Sequence, residues 1–205
     1  MEGRFITIEG TDGGGKSTQI EKLVEYLKSM GREVVVTREP GGTNISEKLR
    51  EILLDAKNSE MTDITEALLY AASRAQHVEE KILPAVKEGK IVICDRFLDS
   101  SIVYQGYARG LDIEMIKTIN SFALSKIKPD ITLFFDIRPE IGILRKKNMH
   151  ELDRMEQEKI DFHNKVYNGY KALLNENPER IKRIDAEKTI DEVYKQVIDA
   201  VNTIL

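Results

Sequence analysis

Four short runs of the chain, FITIE from Phe5, VVVT from Val34, IVIC from Ile91 and ITLFFD from Ile131, are apolar or β-branched at nearly every position. A strand exposed on one face alternates apolar with polar, whereas a strand covered on both faces reads as a continuous run, so these four predict a parallel sheet. Between the first two runs, Ile20, Leu23, Val24 and Leu27 recur at helical spacing and Gly31 follows them as a C-cap, which predicts a crossover helix. The same spacing returns near the end at Ile190, Val193, Tyr194, Val197 and Val201, behind a weaker strand candidate, RIKRID, expected at the sheet's edge. No repeat, linker or low-complexity tract interrupts the 205 residues, which suit one domain over 1–205. The pattern predicts an α/β fold: five parallel strands flanked by helices on both faces.

Composition narrows the partners. A net charge of −4 gives no general attraction to nucleic acid or to an anionic membrane, so phosphate binding has to come from local clusters, and no polynucleotide partner is expected. Cys94 is the single cysteine, which excludes an intrachain disulfide and a cysteine-based metal site; inside IVIC it is expected to be a buried strand residue. His77, His150 and His163 show no metal-ligand spacing. No apolar stretch approaches the roughly 18 residues of a membrane span, and the N-terminus runs into RFITIE without the apolar core of a signal peptide, so a cytoplasmic protein is expected.

The chemistry begins where the first strand ends. Gly10-Thr11-Asp12-Gly13-Gly14-Gly15-Lys16-Ser17 fits the G-x-x-x-x-G-K-[ST] pattern between a strand and an amphipathic helix, which is the context that pattern needs. Amides of the loop and of the helix's first turn, through Thr18, converge on one concavity where the helix's positive end adds to them, so a di- or triphosphate can be held there. Lys16 is expected to bridge the β- and γ-phosphates and Ser17 to put its hydroxyl on Mg²⁺. A GTPase switch would need a guanine-reading N-K-x-D string, and Asn164-Lys165-Val166-Tyr167 lacks the carboxylate. Asp95 and Arg96 close IVIC at the carboxyl end, where parallel sheets collect ligands; such an aspartate can hold Mg²⁺ directly or through water, and such an arginine can fork a phosphate. Arg38 and Glu39 close the second strand in the same way, before PGG. Two arginine–carboxylate pairs beside a phosphate loop suggest a site for two substrates.

At this level of detail the chain resembles the bacterial thymidylate kinases. The likeness runs through FITIEGTDGGGKSTQ, TREPGGT, LLYAASRAQH, DRFLDSSIVYQGYARG, KPDITLFFD and ELDRMEQE, in the family's order and at its spacings. It implies a P-loop kinase fold with a short mobile lid at about 142–153, transfer of the γ-phosphoryl of ATP to dTMP giving dTDP and ADP, ATP and Mg²⁺ as cofactors, and a homodimer. It also implies residue roles: Asp12 on the acceptor's sugar hydroxyl, Arg96 on its phosphate, Arg50 and Glu39 in its pocket, Tyr70 stacked on thymine and Arg74 donating to a base oxygen. Ser101, Tyr104 and Gln105 would contact the base and exclude ribose. Thymidylate kinases without an arginine in the P-loop, where this chain has Gly13, usually place the catalytic cation in the lid, which nominates Arg145 with Lys147 in reserve; Lys146 is basic too, while Asn148, Met149 and His150 are less basic than in some relatives. Asp153 to Glu156 reads as a capping box opening the next helix. A kinase for another nucleoside monophosphate, or a P-loop module that binds without catalysis, are the other readings of the same residues.

Overall fold

The structure is a computed structural model that describes residues 2–146 and 153–205. Among these residues, strands β1 (Arg4–Gly10), β2 (Val34–Arg38), β3 (Ile91–Asp95), β4 (Ile131–Asp136) and β5 (Ile181–Asp185) form one parallel sheet in the order β2-β3-β1-β4-β5. The expected α/β class, the strand number and the edge position of the fifth strand are all found. Helix α1 (Lys16–Ser29) follows β1 and ends as the pattern predicted: Gly31 takes a left-handed φ of 74°, and Gly31 and Arg32 donate back to Lys28 O and Leu27 O. After β2 come α2 (Asn44–Leu54) and α3 (Asp63–His77); α3 runs on through a π-helical turn, Val78–Ile82, into α4 (Leu83–Lys87). After β3, α5 (Leu98–Ser101) widens into a second π-helical stretch, Ile102–Ala108, followed by α6 (Ile113–Ile119) and α7 (Ser121–Leu124). Helices α8 (Pro139–Lys146) and α9 (Ile160–Glu176) lie between β4 and β5, and α10 (Ile190–Val201) closes the described chain.

Side chains alternate across the buried strands, so β1 sends Ile6 and Ile8 to one face and Phe5, Thr7 and Glu9 to the other. Ile6 and Ile8 join Leu23 and Leu27 of α1 and Val193, Val197 and Val201 of α10 in one core. On the opposite face Phe5 packs with Val78, Ile82, Cys94 and Phe97, and Phe134 packs with Val166 and Tyr170 of α9. The apolar stripe of α10 starts later than expected: Ile190, at the first helical position, is 56% exposed and does not join the core. Cys94 is buried and unpaired, as its strand setting predicted, and its thiol donates to Arg96 O at 3.1 Å.

Candidate active site at the carboxyl end of the sheet

Strands β1 and β3 are neighbours, yet the chain leaves β1 toward β2 on one side and β3 toward β4 on the other. Such a switch point opens a crevice at the carboxyl ends, and both expected motifs sit on its lips. The glycine loop runs from Gly10 to Gly15, whose left-handed φ of 77° delivers the chain into α1 at Lys16, so the first amides of α1 face the loop's concavity. Lys16 bends back over the loop, donating to Gly10 O at 3.2 Å and Thr11 O at 3.0 Å, with Asp12 Oδ1 3.7 Å away. Burial and the nearby Arg96 lower the ammonium's pKa, against the opposing pull of Asp95, Asp12 and Glu9. Gly13 also has a left-handed φ, of 77°, and a Cβ there would stand 2.2 Å from Gly142 O; one at Gly142 would meet Asp12 O at 2.3 Å. Helix α8 therefore docks backbone to backbone on the loop, and Arg145 of that helix donates to Ala186 O at 3.2 Å and toward Gly13 O at 3.5 Å.

Arg96 holds the centre. Its φ of 67° makes it the one non-glycine in the left-handed region among the described residues, a strained conformation that its N–H bond to Ile8 O helps to hold. From there the guanidinium donates to Asp12 Oδ1 at 2.8 Å and to Ser100 Oγ and Tyr170 OH at 3.3 and 3.4 Å, and lies over the Tyr104 ring. Beneath it Glu9 is wholly buried, accepting from Phe97 N at 2.7 Å, Ser100 Oγ at 2.6 Å and Tyr170 OH at 2.8 Å. Burial, and then the neighbouring Asp99, raise its carboxyl pKa to about 7.

Beside Arg96 opens a cleft of about 180 Å³ whose walls include Asp12, Glu39, Arg50, Tyr70, Arg74, Arg96, Ser101, Tyr104 and Gln105, the nine positions that the sequence nominated for an acceptor. Several are already committed to one another. Arg74 is 1% exposed and donates to Glu39 Oε2 (2.7 Å), Asn120 Oδ1 (2.6 Å) and Phe97 O (3.0 Å), leaving two of its five N–H groups for anything else. Glu39 also meets His77 Nδ1 at 3.0 Å, and His77 Nε2 meets Thr37 Oγ1 at 2.7 Å, which explains a histidine without metal-ligand spacing as an internal strut. Arg50 donates to Pro40 O. The Ser101 hydroxyl is buried without a hydrogen-bond partner. Burial raises the Tyr70 and Tyr104 phenols, which keeps both as donors.

Asp95 tests the metal reading. Its Oδ1 is buried with no hydrogen-bond partner, an arrangement that leaves a carboxylate oxygen free to coordinate or to accept from water, and Ser17 is exposed at the start of α1. Among the described residues no three acidic, histidine or cysteine side chains gather as a cage. This hard-oxygen pair suits Mg²⁺, which takes one or two protein oxygens and completes its shell with phosphates and water.

The family model for thymidylate kinase matches residues 8–197. The chain belongs to the thymidylate kinase family. It is 53% identical to the thymidylate kinase of Thermoanaerobacter sp. (strain X514) over 205 residues, all of both chains, and 50% identical to that of Clostridium novyi (strain NT) over 198 residues, 96% of this chain and 97% of that one. A crystal structure of the thymidylate kinase from Ehrlichia chaffeensis superposes with a TM-score of 0.79 at 34% identity, covering 98% and 99% of the two chains. As a thymidylate kinase family member the chain is a nucleoside monophosphate kinase, a transferase, and its sheet and P-loop are those of that fold.

In this thymidylate kinase fold one expectation lies partly outside the described residues and another needs correction. The lid at about 142–153 falls partly on 147–152, so Lys147, Asn148, Met149 and His150 lie outside the described residues. The capping box is present, since Asp153 Oδ1 accepts from Glu156 N at 2.9 Å and Glu156 Oε2 accepts from Asp153 N at 3.0 Å, but it closes an isolated turn and α9 opens only at Ile160. The turn is pulled sideways: Arg154 donates to Leu53 O and pairs with Glu66, Glu158 pairs with Arg109, and Lys159 is extended. Asp153, Met155 and Glu156 thereby join the cleft wall, which a purely capping role did not foresee. Glu9, Ser100 and Tyr170 were not nominated either; an acid ending an apolar strand was the visible signal for Glu9.

Proposed function

We propose that this chain transfers the γ-phosphoryl group of ATP to dTMP, giving dTDP and ADP. The observation that carries the reading is that Arg96, in the wall of the cleft, reaches Asp12 of the phosphate loop at 2.8 Å, so one fixed cation stands between two sites for phosphates. In this reading the amides of Gly10 to Thr18 and Lys16 hold the donor phosphates, Arg96 takes the acceptor phosphate and Asp12 orients the acceptor's sugar hydroxyl. Tyr70 stacks on the base, Arg74, Ser101, Tyr104 and Gln105 meet its edge, Arg50 lines the pocket and Glu39 braces Arg74. An acceptor phosphate oxygen attacks the γ-phosphorus in line as the bond to the β-bridging oxygen breaks, and Arg145 meets the charge on the transferring group from α8. Ser17 and Asp95 would hold Mg²⁺, which when bound offsets charge on the β- and γ-oxygens. The reading includes one kinase domain over 1–205 with its lid at about 142–153, and a cytoplasmic location, in keeping with a single unpaired thiol.

The same reading makes the protein a homodimer. Ile64 and Leu68 of α3 are 55% and 50% exposed at a spacing of four, Ala72 continues the row, and Ile45 and Ile52 of α2 are exposed beside them. An apolar face shared by two packed helices is what a subunit contact would cover. No helix of the described residues is long and apolar enough to cross a membrane.

A product assay decides the activity. With ATP, Mg²⁺ and dTMP, dCMP, dUMP or dGMP, dTDP should form fastest; faster conversion of another acceptor would move the protein to a different monophosphate kinase, and phosphate release independent of any acceptor would make it an ATPase module.

A further inference from the structure

The Gln105 amide stands against a buried acid. Glu66, on α3 and 1% exposed, accepts from Gln105 Nε2 at 2.8 Å through Oε1; its Oε2 meets Arg109 Nη2 at 3.2 Å and Arg154 Nη2 at 2.7 Å. Arg109 is itself shared with Asp63 and Glu158, so the cluster is closed by charge pairs on every side. A carboxylate clamped by two guanidinium groups accepts hydrogen bonds and offers none. The nitrogen of the Gln105 amide must therefore face Glu66, and its oxygen must face the other way.

We infer that Glu66 is a specificity-determining positioning residue: by accepting from Gln105 Nε2 it fixes the amide so that the carbonyl oxygen faces the cleft, which selects an acceptor base carrying an imide N–H. This rests on the nucleotide kinase reading above. Thymine presents a donor, N3–H, where cytosine presents the bare acceptor N3. An acceptor facing an acceptor leaves both unpaired in a buried wall, a penalty that corresponds to about tenfold or more in affinity. An amide left free would erase the distinction by turning over, because its two ends have nearly the same shape. The neighbouring polar groups do not read this position: the Ser101 hydroxyl rotates to donate or accept, and Arg74, which only donates, reads the adjoining carbonyl that cytosine replaces with an amino group. The reading of the base's N3 position is thus set by a residue that does not touch it.

The test compares kcat/KM for dTMP and dCMP in the wild type, Glu66→Gln, Gln105→Leu and the double variant. Glutamine at 66 can donate as well as accept, so the Gln105 amide can stand either way. Glu66→Gln should lower the dTMP/dCMP ratio by about tenfold, chiefly through improved dCMP turnover, with KM for ATP unchanged. In the Gln105→Leu background the same change should leave the ratio within about twofold, which a merely structural role for Glu66 would not predict. An unchanged ratio in Glu66→Gln, or an equal fall in both backgrounds, overturns the inference. Should Glu66→Gln lack a cooperative thermal transition, Glu66→Asp carries the test: it keeps a charge for Arg109 and Arg154 but withdraws from Gln105, so a smaller fall in the ratio is expected and an unchanged ratio overturns. A wild type that phosphorylates dTMP and dCMP equally also overturns this inference, whereas one that phosphorylates neither overturns the reading beneath it.

Discussion

Arg145 is the residue whose role the geometry makes most open to measurement. It is exposed, its guanidinium rests on two backbone carbonyls, and it stands beside the phosphate loop at a point where the loop itself offers no side chain. Guanidinium stays charged and forks two oxygens at once, which suits it to a phosphoryl group held by the loop. If it serves the transferring phosphoryl, Arg145→Ala should lower kcat by a few orders of magnitude while equilibrium titration finds ATP affinity little changed, because the contact strengthens only in the transition state. The opposite split, weaker ATP binding with kcat intact, would make it an adenine clamp resting near Ala186. The charged and hydroxylic residues of the P-loop and of DRFLDSSIVYQG were legible because their string and spacing are tied to phosphate chemistry. Glu9, Glu66 and Tyr170 were not, since a lone acid or phenol in an apolar setting acquires meaning only from the partners that the fold brings to it, and those lie 161 residues away for the pair Glu9 and Tyr170.

Among elements, α10 opens on a capping box that the sequence reading did not single out. Thr189 Oγ1 accepts from Glu192 N while Glu192 Oε2 accepts from Thr189 Oγ1 at 2.7 Å and from Thr189 N at 3.0 Å; these last two hydrogen bonds lower the Glu192 carboxyl's pKa. The helix is far from the cleft residues in sequence and packs on α1 through the shared core. Thr189→Ala should cost about 1 kcal/mol in urea unfolding and leave kcat/KM for both substrates unaltered; a catalytic defect at full stability would show that α10 orients the loop through α1. Strand existence was readable because burial on both faces dictates composition. Strand order was not, as no local pattern records which neighbour a strand will pair with, and β3 enters between β1 and β2. The π-helical stretches were equally hidden: VEEKI and IVYQGYA carry ordinary helical residues, and the wider turn that presents Gln105 to Glu66 is a tertiary outcome.

For the molecule as a whole, Glu9 ties stability to pH. Its carboxyl titrates near 7 when folded against an ordinary value of 4.5, so between these values the folded chain keeps a proton that the unfolded chain has released. Raising the pH through that window therefore weakens the fold, and the contribution is fully present only below about 4.5. Glu9→Gln removes this term. The Tm of the variant relative to wild type should rise between pH 5 and pH 8, and parallel Tm profiles would mean that Glu9 is ionised throughout. The proposed homodimer can be tested at the same scale: if it forms through the exposed row of α3, Leu68→Glu should shift sedimentation from dimer to monomer, and a dimer that persists would place the subunit contact on another face.

The contact between Gly13 and Gly142 also bears on how such an enzyme can change over generations. A side chain at position 13 would occupy the space of the Gly142 carbonyl, so an arginine cannot appear at position 13 while α8 stays docked. If the cation that serves the transferring phosphoryl is Arg145 of α8, moving that charge to position 13 requires α8 to shift as well, so a single replacement does not connect the two arrangements.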